Sequence, residues 1–198
     1  ISGLLEKRSD IKVFELESDE LIATVVDELV EGSVVAWFQA RMEWGPRALG
    51  YRSIIADPRR KDMRDIINAK VKIREPFRPF APSVLIERFS DFFIGSADDA
   101  SPFMSKVFPV NPAKIDAIEA VVHVDGTARV QVVSPTSNEL FYRLISKFSQ
   151  VTDIPMLLNT SFNENEPIVC NPSNALDTFV RTDIDVLVIE RFVLKKIR

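Results

Sequence analysis

The chain has 198 residues, 25 basic and 29 acidic, for a net charge of −4; it is 46% hydrophobic and 27% charged, with mean hydropathy +0.04. That profile fits one soluble globular domain and excludes a disordered, collagen-like or coiled-coil chain. Apolar runs of about five residues fall far short of a bilayer span, the start shows no secretory leader, and the single Cys170 excludes an intramolecular disulfide framework, so a cytoplasmic protein with no membrane partner is expected.

Residues 1–17 read as a linker remnant feeding an edge strand, and the chain as one domain over 1–198. Ser18 or Asp19 can cap a helix whose Leu21, Ile22, Val25, Val26 and Leu29 recur at helical spacing, and Gly32 ends it. Residues 34–38 read as a buried strand with Trp37 and Phe38 in the core, and 39–53 as a structured loop. Asp57 and Pro58 read as an N-cap and first helical residue, followed by Met63, Ile66, Ile67 and Val71 on one face. Pro76, Pro79 and Pro82 demote 81–86 to an edge strand. Residues 91–112 read as a long loop. Strands over 120–124 and 128–133 flank the hairpin signal Asp125-Gly126. Thr136 and Glu139 suit a capping box ahead of the amphipathic residues Leu140, Phe141, Leu144, Ile145 and Phe148. A short strand over 155–158, a helix opened by Asn171-Pro172, and strands over 186–189 and 192–194 complete the chain. Mixed strands and helices without a repeat predict an α/β (α+β) domain with a twisted, partly antiparallel sheet flanked by helices.

The charge is unevenly placed. Residues 41–78 hold eleven basic residues against five acidic ones, a local +6 that leaves −10 for the rest of the chain. Arginine suits bidentate phosphate recognition, so the run reads as a local anion site. Globally the chain is acidic, and no aromatic stacking pattern accompanies the arginines, so a nucleic-acid partner is disfavoured. Residues 45–50 have the G-x-x-x-x-G spacing of a phosphate loop, but Tyr51 and Arg52 stand where Lys and Ser/Thr are required, and the Walker reading fails. Arg41, Arg47 and Arg52 remain in that loop, with Glu43 placed to orient a guanidinium. Alternation puts Arg129 and Gln131 on one strand face, where Arg129 meets either an anion or a cross-strand acid such as Glu119. Asn159, Thr160, Ser161 and Asn163 follow a buried strand and read as either turn chemistry or a polar site at its C-terminal end. Trp44 reads equally as core or as a stacking surface, His123 and Cys170 as structural, and Arg59, Arg60, Lys61 and Arg64 as a solvated face. The lone histidine and the absence of a ligand cluster predict no tightly bound metal.

Four blocks, residues 37–59 (WFQARMEWGPRALGYRSIIADPR), 68–83 (NAKVKIREPFRPFAPS), 124–133 (VDGTARVQVV) and 157–170 (LLNTSFNENEPIVC), resemble the signature of NodU/CmcH-type O-carbamoyltransferases. Within them Lys72-Ile-Arg74 resembles the K-x-R element of YrdC proteins and Ser161-Phe-Asn163 their S-x-N element. The resemblance implies a YrdC-like C-terminal domain that uses carbamoyl phosphate and Mg²⁺-bound ATP to make carbamoyl-adenylate. It also implies a larger sugar-kinase-like N-terminal domain, absent here, as the partner that transfers the carbamoyl group to a hydroxyl acceptor. Arg47, Lys72 and Arg78 would then act in catalysis. Arg41, Arg52, Arg74, Arg129, Gln131, Asn159, Ser161 and Asn163 would bind substrate or nucleotide. The acidic turn 163–166 departs from the family's small or basic loop. The rival reading is a non-catalytic nucleotide- or RNA-binding module.

Overall fold

In the computed structural model, which describes residues 10–72 and 78–197, nine strands form one open mixed sheet. The strands are β1 (Ile11–Glu15), β2 (Val35–Phe38), β3 (Arg52–Ala56), β4 (Ala81–Leu85), β5 (Lys106–Pro109), β6 (Thr127–Val133), β7 (Met156–Ser161), β8 (Val186–Ile189) and β9 (Phe192–Lys196). Their order is β1-β9-β8-β2-β3-β7-β4-β6-β5, with β2/β8 and β4/β6 parallel and the other pairs antiparallel. The main helices are α1 (Ser18–Val30), α2 (Met63–Ile67), α3 (Phe89–Phe92), α4 (Glu139–Thr152) and α5 (Pro172–Arg181). The periodic residues of α1 and, in α4, Phe141, Leu144, Ile145 and Phe148 are buried in one core that also takes Trp37 and Phe38, with Leu140 partly buried at its margin. No described helix is long and apolar enough to cross a membrane.

Several local expectations change. Residues 11–15 belong to the sheet as its edge strand, paired with β9. The helix expected from Pro58 starts at Met63, because Asp57 accepts from the Arg59 amide and guanidinium instead of capping a helix. β4 is an interior strand between β7 and β6, despite Pro82. Pairing with β6 begins only at Ser83, so the missing N–H lies at the strand's start, where a ladder tolerates it. The expected loop 91–112 instead supplies α3 and β5, and Phe89, Phe93 and Phe108 pack as an aromatic cluster with ring centroids 5.0–5.3 Å apart. The Asp125-Gly126 turn forms, with the His123 amide donating to the Thr127 carbonyl at 2.7 Å, but residues 120–124 are not a strand and β6 pairs with β5. α4 is capped by Asn138, which accepts from the Phe141 amide at 3.1 Å, so Thr136 plays no capping part.

One sheet face becomes polar. Registers place Ser53 opposite Ser161, Asn159 opposite Ala81, and Ser83 opposite Gln131, with Arg129 two residues before Gln131. Period-two alternation therefore brings Ser161, Asn159, Ser83, Gln131 and Arg129 to the same face across β7, β4 and β6. Residues 39–51, between β2 and β3, are tied down over this face.

Candidate active site: an arginine-lined cleft on the polar sheet face

The loop between β2 and β3 is built rather than loose. Glu43 does not orient a guanidinium; its Oε1 accepts from the backbone amides of Leu49, Tyr51 and Arg52 at 2.8, 2.9 and 3.1 Å. One carboxylate oxygen thus closes the turn that carries Arg47. Gly50 has φ +102°, and a Cβ there would lie 2.4 Å from Phe141 Cδ1 of α4, so only glycine fits this close approach. Its carbonyl accepts from Trp37 Nε1 at 3.0 Å and from Asn138 Nδ2 at 3.3 Å. Arg52 is buried beneath the loop. Its guanidinium donates to the carbonyls of Gln39, Tyr51 and Ala40 at 2.5–3.0 Å and stacks 3.5 Å from the Phe38 ring centroid. Burial lowers its pKa, and Glu43 and Glu190 act against that shift. Arg52 is therefore a structural clamp on the loop and lies outside the cleft; Arg41 is exposed and does not line it either.

The cleft, about 240 Å³, lies between this loop, the segment leading into β4 and the polar sheet face. Arg47, Arg78, Arg129, Asn159 and Ser161 line it, joined by Thr160 and by Met104 and Phe80 as apolar wall. No carboxylate among the described residues lines it. Arg129 is half-buried, and its Nε has no hydrogen-bond partner among the described residues. Glu119, the cross-strand acid that was one of the two alternatives for Arg129, pairs with Lys61 at 3.1 Å. Burial and then the neighbouring Arg47 lower the Arg129 pKa. A guanidinium held this way is destabilised until an anion arrives.

The remaining candidates form a support beside the cleft. Residues Asn68–Lys72 continue α2 as a π-turn, which delivers the buried Lys72 to the end of β7. Its Nζ donates to Ser161 O at 2.7 Å, Asn163 O at 2.6 Å and Asn163 Oδ1 at 2.8 Å, and lies 3.3 Å from Ser161 Oγ. The K-x-R and S-x-N elements thus meet through Lys72, Ser161 and Asn163, while Arg74 lies outside the described residues. Gln131 sits under the floor, donating to Leu49 O at 2.9 Å and accepting from Ser83 Oγ at 2.5 Å. Ser83 was missed by sequence reasoning, although a serine inside the apolar run of β4 was a usable signal. The acids of the 163–166 turn face away: Glu164 and Glu166 pair with Arg181 at 3.0 and 2.8 Å. Trp44 is almost fully exposed, and Cys170 is exposed, against expectation, because Val169 takes the core position.

The sequence profile described as Carbamoyltransferase C-terminus matches residues 26–196. The chain belongs to this carbamoyltransferase C-terminal family. It is 48% identical over 181 residues to the nodulation protein NolO of Bradyrhizobium diazoefficiens, covering 90% of this chain and 33% of that protein. It is 42% identical over 143 residues to the 3'-hydroxymethylcephem-O-carbamoyltransferase of Streptomyces clavuligerus, covering 72% and 26%. Nodulation protein U of Rhizobium tropici is 41% identical over 135 residues, 68% and 23%. As a carbamoyltransferase C-terminal domain, the chain spans a third or less of the length of these relatives.

Proposed function

We propose that the cleft forms carbamoyl-adenylate from carbamoyl phosphate and Mg²⁺-bound ATP, as the first half of an O-carbamoyl transfer that the rest of a longer polypeptide completes on a hydroxyl acceptor. In that scheme water releases carbamate and phosphate from carbamoyl phosphate. A carbamate oxygen then attacks the α-phosphorus of ATP, and pyrophosphate leaves. The reaction needs charge neutralisation and alignment more than a strong base, because carbamate is already a nucleophile. The observation that carries this reading is Arg129: a half-buried guanidinium beside Arg47 and Arg78 whose Nε has no partner, in a cleft with no carboxylate, among the described residues. Three fork-shaped donors suit several phosphoryl oxygens at once. Lys72, fixed on Ser161 and Asn163, holds the end of β7 at the cleft wall.

The rival, a solvated basic face for RNA, loses support from the same geometry. Arg59 pairs with Asp57 at 2.6 Å, Arg60 with Asp62 at 2.8 Å, Lys61 with Glu119, and Lys70 with Asp185 at 2.5 Å. Asp57 and Asp62 are already counted in the +6, and Glu119 and Asp185, from outside the stretch, bring it to about +4. Phosphorus NMR of the protein with Mg²⁺-ATP and carbamoyl phosphate tests the proposal. Pyrophosphate that appears only with both substrates is the expected result, and ATP binding without it favours the non-catalytic module.

A further inference from the structure

The loop that carries Arg47 leaves β2 through a strained residue. Ala40 has φ +44°, and Glu190, in the turn between β8 and β9, has φ +52°. Neither is a Gly, Asn or Asp, the residues that enter the left-handed region at least cost, and the two touch. A residue with a Cβ stays there only where its surroundings over-determine it. Ala40 is held from both sides: its amide donates to Glu190 Oε1 at 2.9 Å, and its carbonyl accepts from Arg52 Nη2 at 3.0 Å. The preceding Gln39 is buried, and its Nε2 donates to the Glu190 carbonyl at 2.9 Å. The Glu190 amide in turn donates to the Phe38 carbonyl at 3.0 Å.

The sheet register explains the meeting. β2 and β8 run parallel with Phe38 beside Ile189, so the residue that follows β8 lies beside the residues that leave β2. The φ of Ala40 sets the direction in which the chain departs, and the outgoing residues lead from there to Arg47 at the cleft. The returning half is fixed separately, by Glu43 on the amides of Leu49, Tyr51 and Arg52. Relaxation of Ala40 to an ordinary negative φ would swing residues 41–47 and carry Arg47 with them. An alanine has no preference of its own for the observed direction, so the Glu190 carboxylate supplies what the local sequence lacks.

We propose that Glu190 is a positioning residue for the Arg47 loop: its carboxylate holds Ala40 in the left-handed conformation and so fixes where Arg47 stands; this rests on the reading of the cleft given above. Glu190 is exposed and is not among the residues that line the cleft. Its bond to Ala40 uses one oxygen as an acceptor, which a carboxamide can also provide. Glycine at position 40 would need no holding, because it populates positive φ about as readily as negative. These two substitutions separate positioning from a general contribution to stability.

The test combines calorimetric titration with Mg²⁺-ATP and hydrogen–deuterium exchange over residues 39–52. Glu190→Ala should bind ATP about five- to tenfold more weakly and exchange faster across this loop. Glu190→Gln should stay within about twofold of the wild type, and adding Ala40→Gly to Glu190→Ala should restore the affinity to within about twofold. Ala40→Val makes the same conformation costlier without touching Glu190 and should reproduce the loss; it decides the matter if Glu190→Ala fails to fold. Wild-type ATP affinity or unchanged loop exchange in Glu190→Ala, or in Ala40→Val where that variant decides, overturns the proposal. So does a loss that Ala40→Gly leaves unrepaired, since Glu190 would then act by some route other than Ala40. Absence of ATP binding by the wild type overturns the reading of the cleft instead, and loop exchange in Glu190→Ala and its Ala40→Gly combination then decides the hold on Ala40 alone.

Discussion

Arg129 and Arg59 make a pair of opposite expectations. Replacing Arg129 by Met removes a half-buried charge beside a second cation; among the described residues its Nε has no partner and its loss orphans no carboxylate. Its desolvation is relieved, so folding stability should stay level or rise by up to about 1 kcal/mol, which for about 200 residues moves Tm upward by no more than ~4 °C. Anion affinity should move the other way. A hydrogen bond to a charged group contributes about 1.5–3 kcal/mol, so ATP should bind roughly ten- to 150-fold more weakly. Arg59→Met is the control. It strands the buried Asp57 carboxylate, whose side chain is 1% exposed, and should cost about 1–3 kcal/mol in stability with ATP affinity unchanged. Urea unfolding without ligand gives the first quantity and calorimetry with Mg²⁺-ATP the second. Loss of more than about 1 kcal/mol of stability in Arg129→Met would refute the reasoning, because the guanidinium would then have a structural partner. Wild-type ATP affinity would refute it equally.

Glu43→Ala leaves three backbone amides of the Arg47 loop without their acceptor; it should destabilise by about 1–3 kcal/mol, and Glu43→Gln, which keeps an acceptor oxygen, by less, both read by urea unfolding. Gly50→Ala combines positive φ with a 2.4 Å approach to Phe141, so a loss of about 2–4 kcal/mol is expected in thermal melts. Arg78→Ala, at an exposed cleft position, should weaken ATP binding by about 1.5–3 kcal/mol without lowering Tm, as paired calorimetry and melts would register. Lys72→Met should fail on both counts, since it also strips the donor from Ser161 and Asn163 carbonyls.

The elements that could be read from the residues were those whose local and tertiary preferences agree. α4 and α5 show strong apolar periodicity and carry their own caps, Asn138 and Asn171. β2, β8 and β9 are short apolar runs between turn residues. β4 misled because its prolines speak against an interior strand, and only the register with β6 shows that Pro82 precedes the pairing. The stretch 91–112 misled because Phe92, Phe93 and Phe108 follow no single period; they converge from a short helix, its end and a distant strand. At Asp125-Gly126 the turn chemistry was correct and the strand partner was not, since nothing local distinguishes residues 120–124 from 106–109 as the strand beside β6.

For the site, residue type gave the chemistry and position gave the role. Arg52 and Arg129 are both arginines withdrawn from water, and no local pattern separates them. Arg52 ends among three carbonyls whose positions depend on the loop closing over it, so its charge is consumed in holding that loop. Arg129 lies on a strand face at the cleft, where burial and the neighbouring Arg47 lower its pKa. The difference comes from the sheet. β7, β4 and β6 align Asn159, Ser83 and Gln131 so that these polar groups satisfy one another and the loop carbonyls, and Asn159 Oδ1 and Arg129 Nε are left without a partner among the described residues. One is an acceptor and the other a donor on a cation.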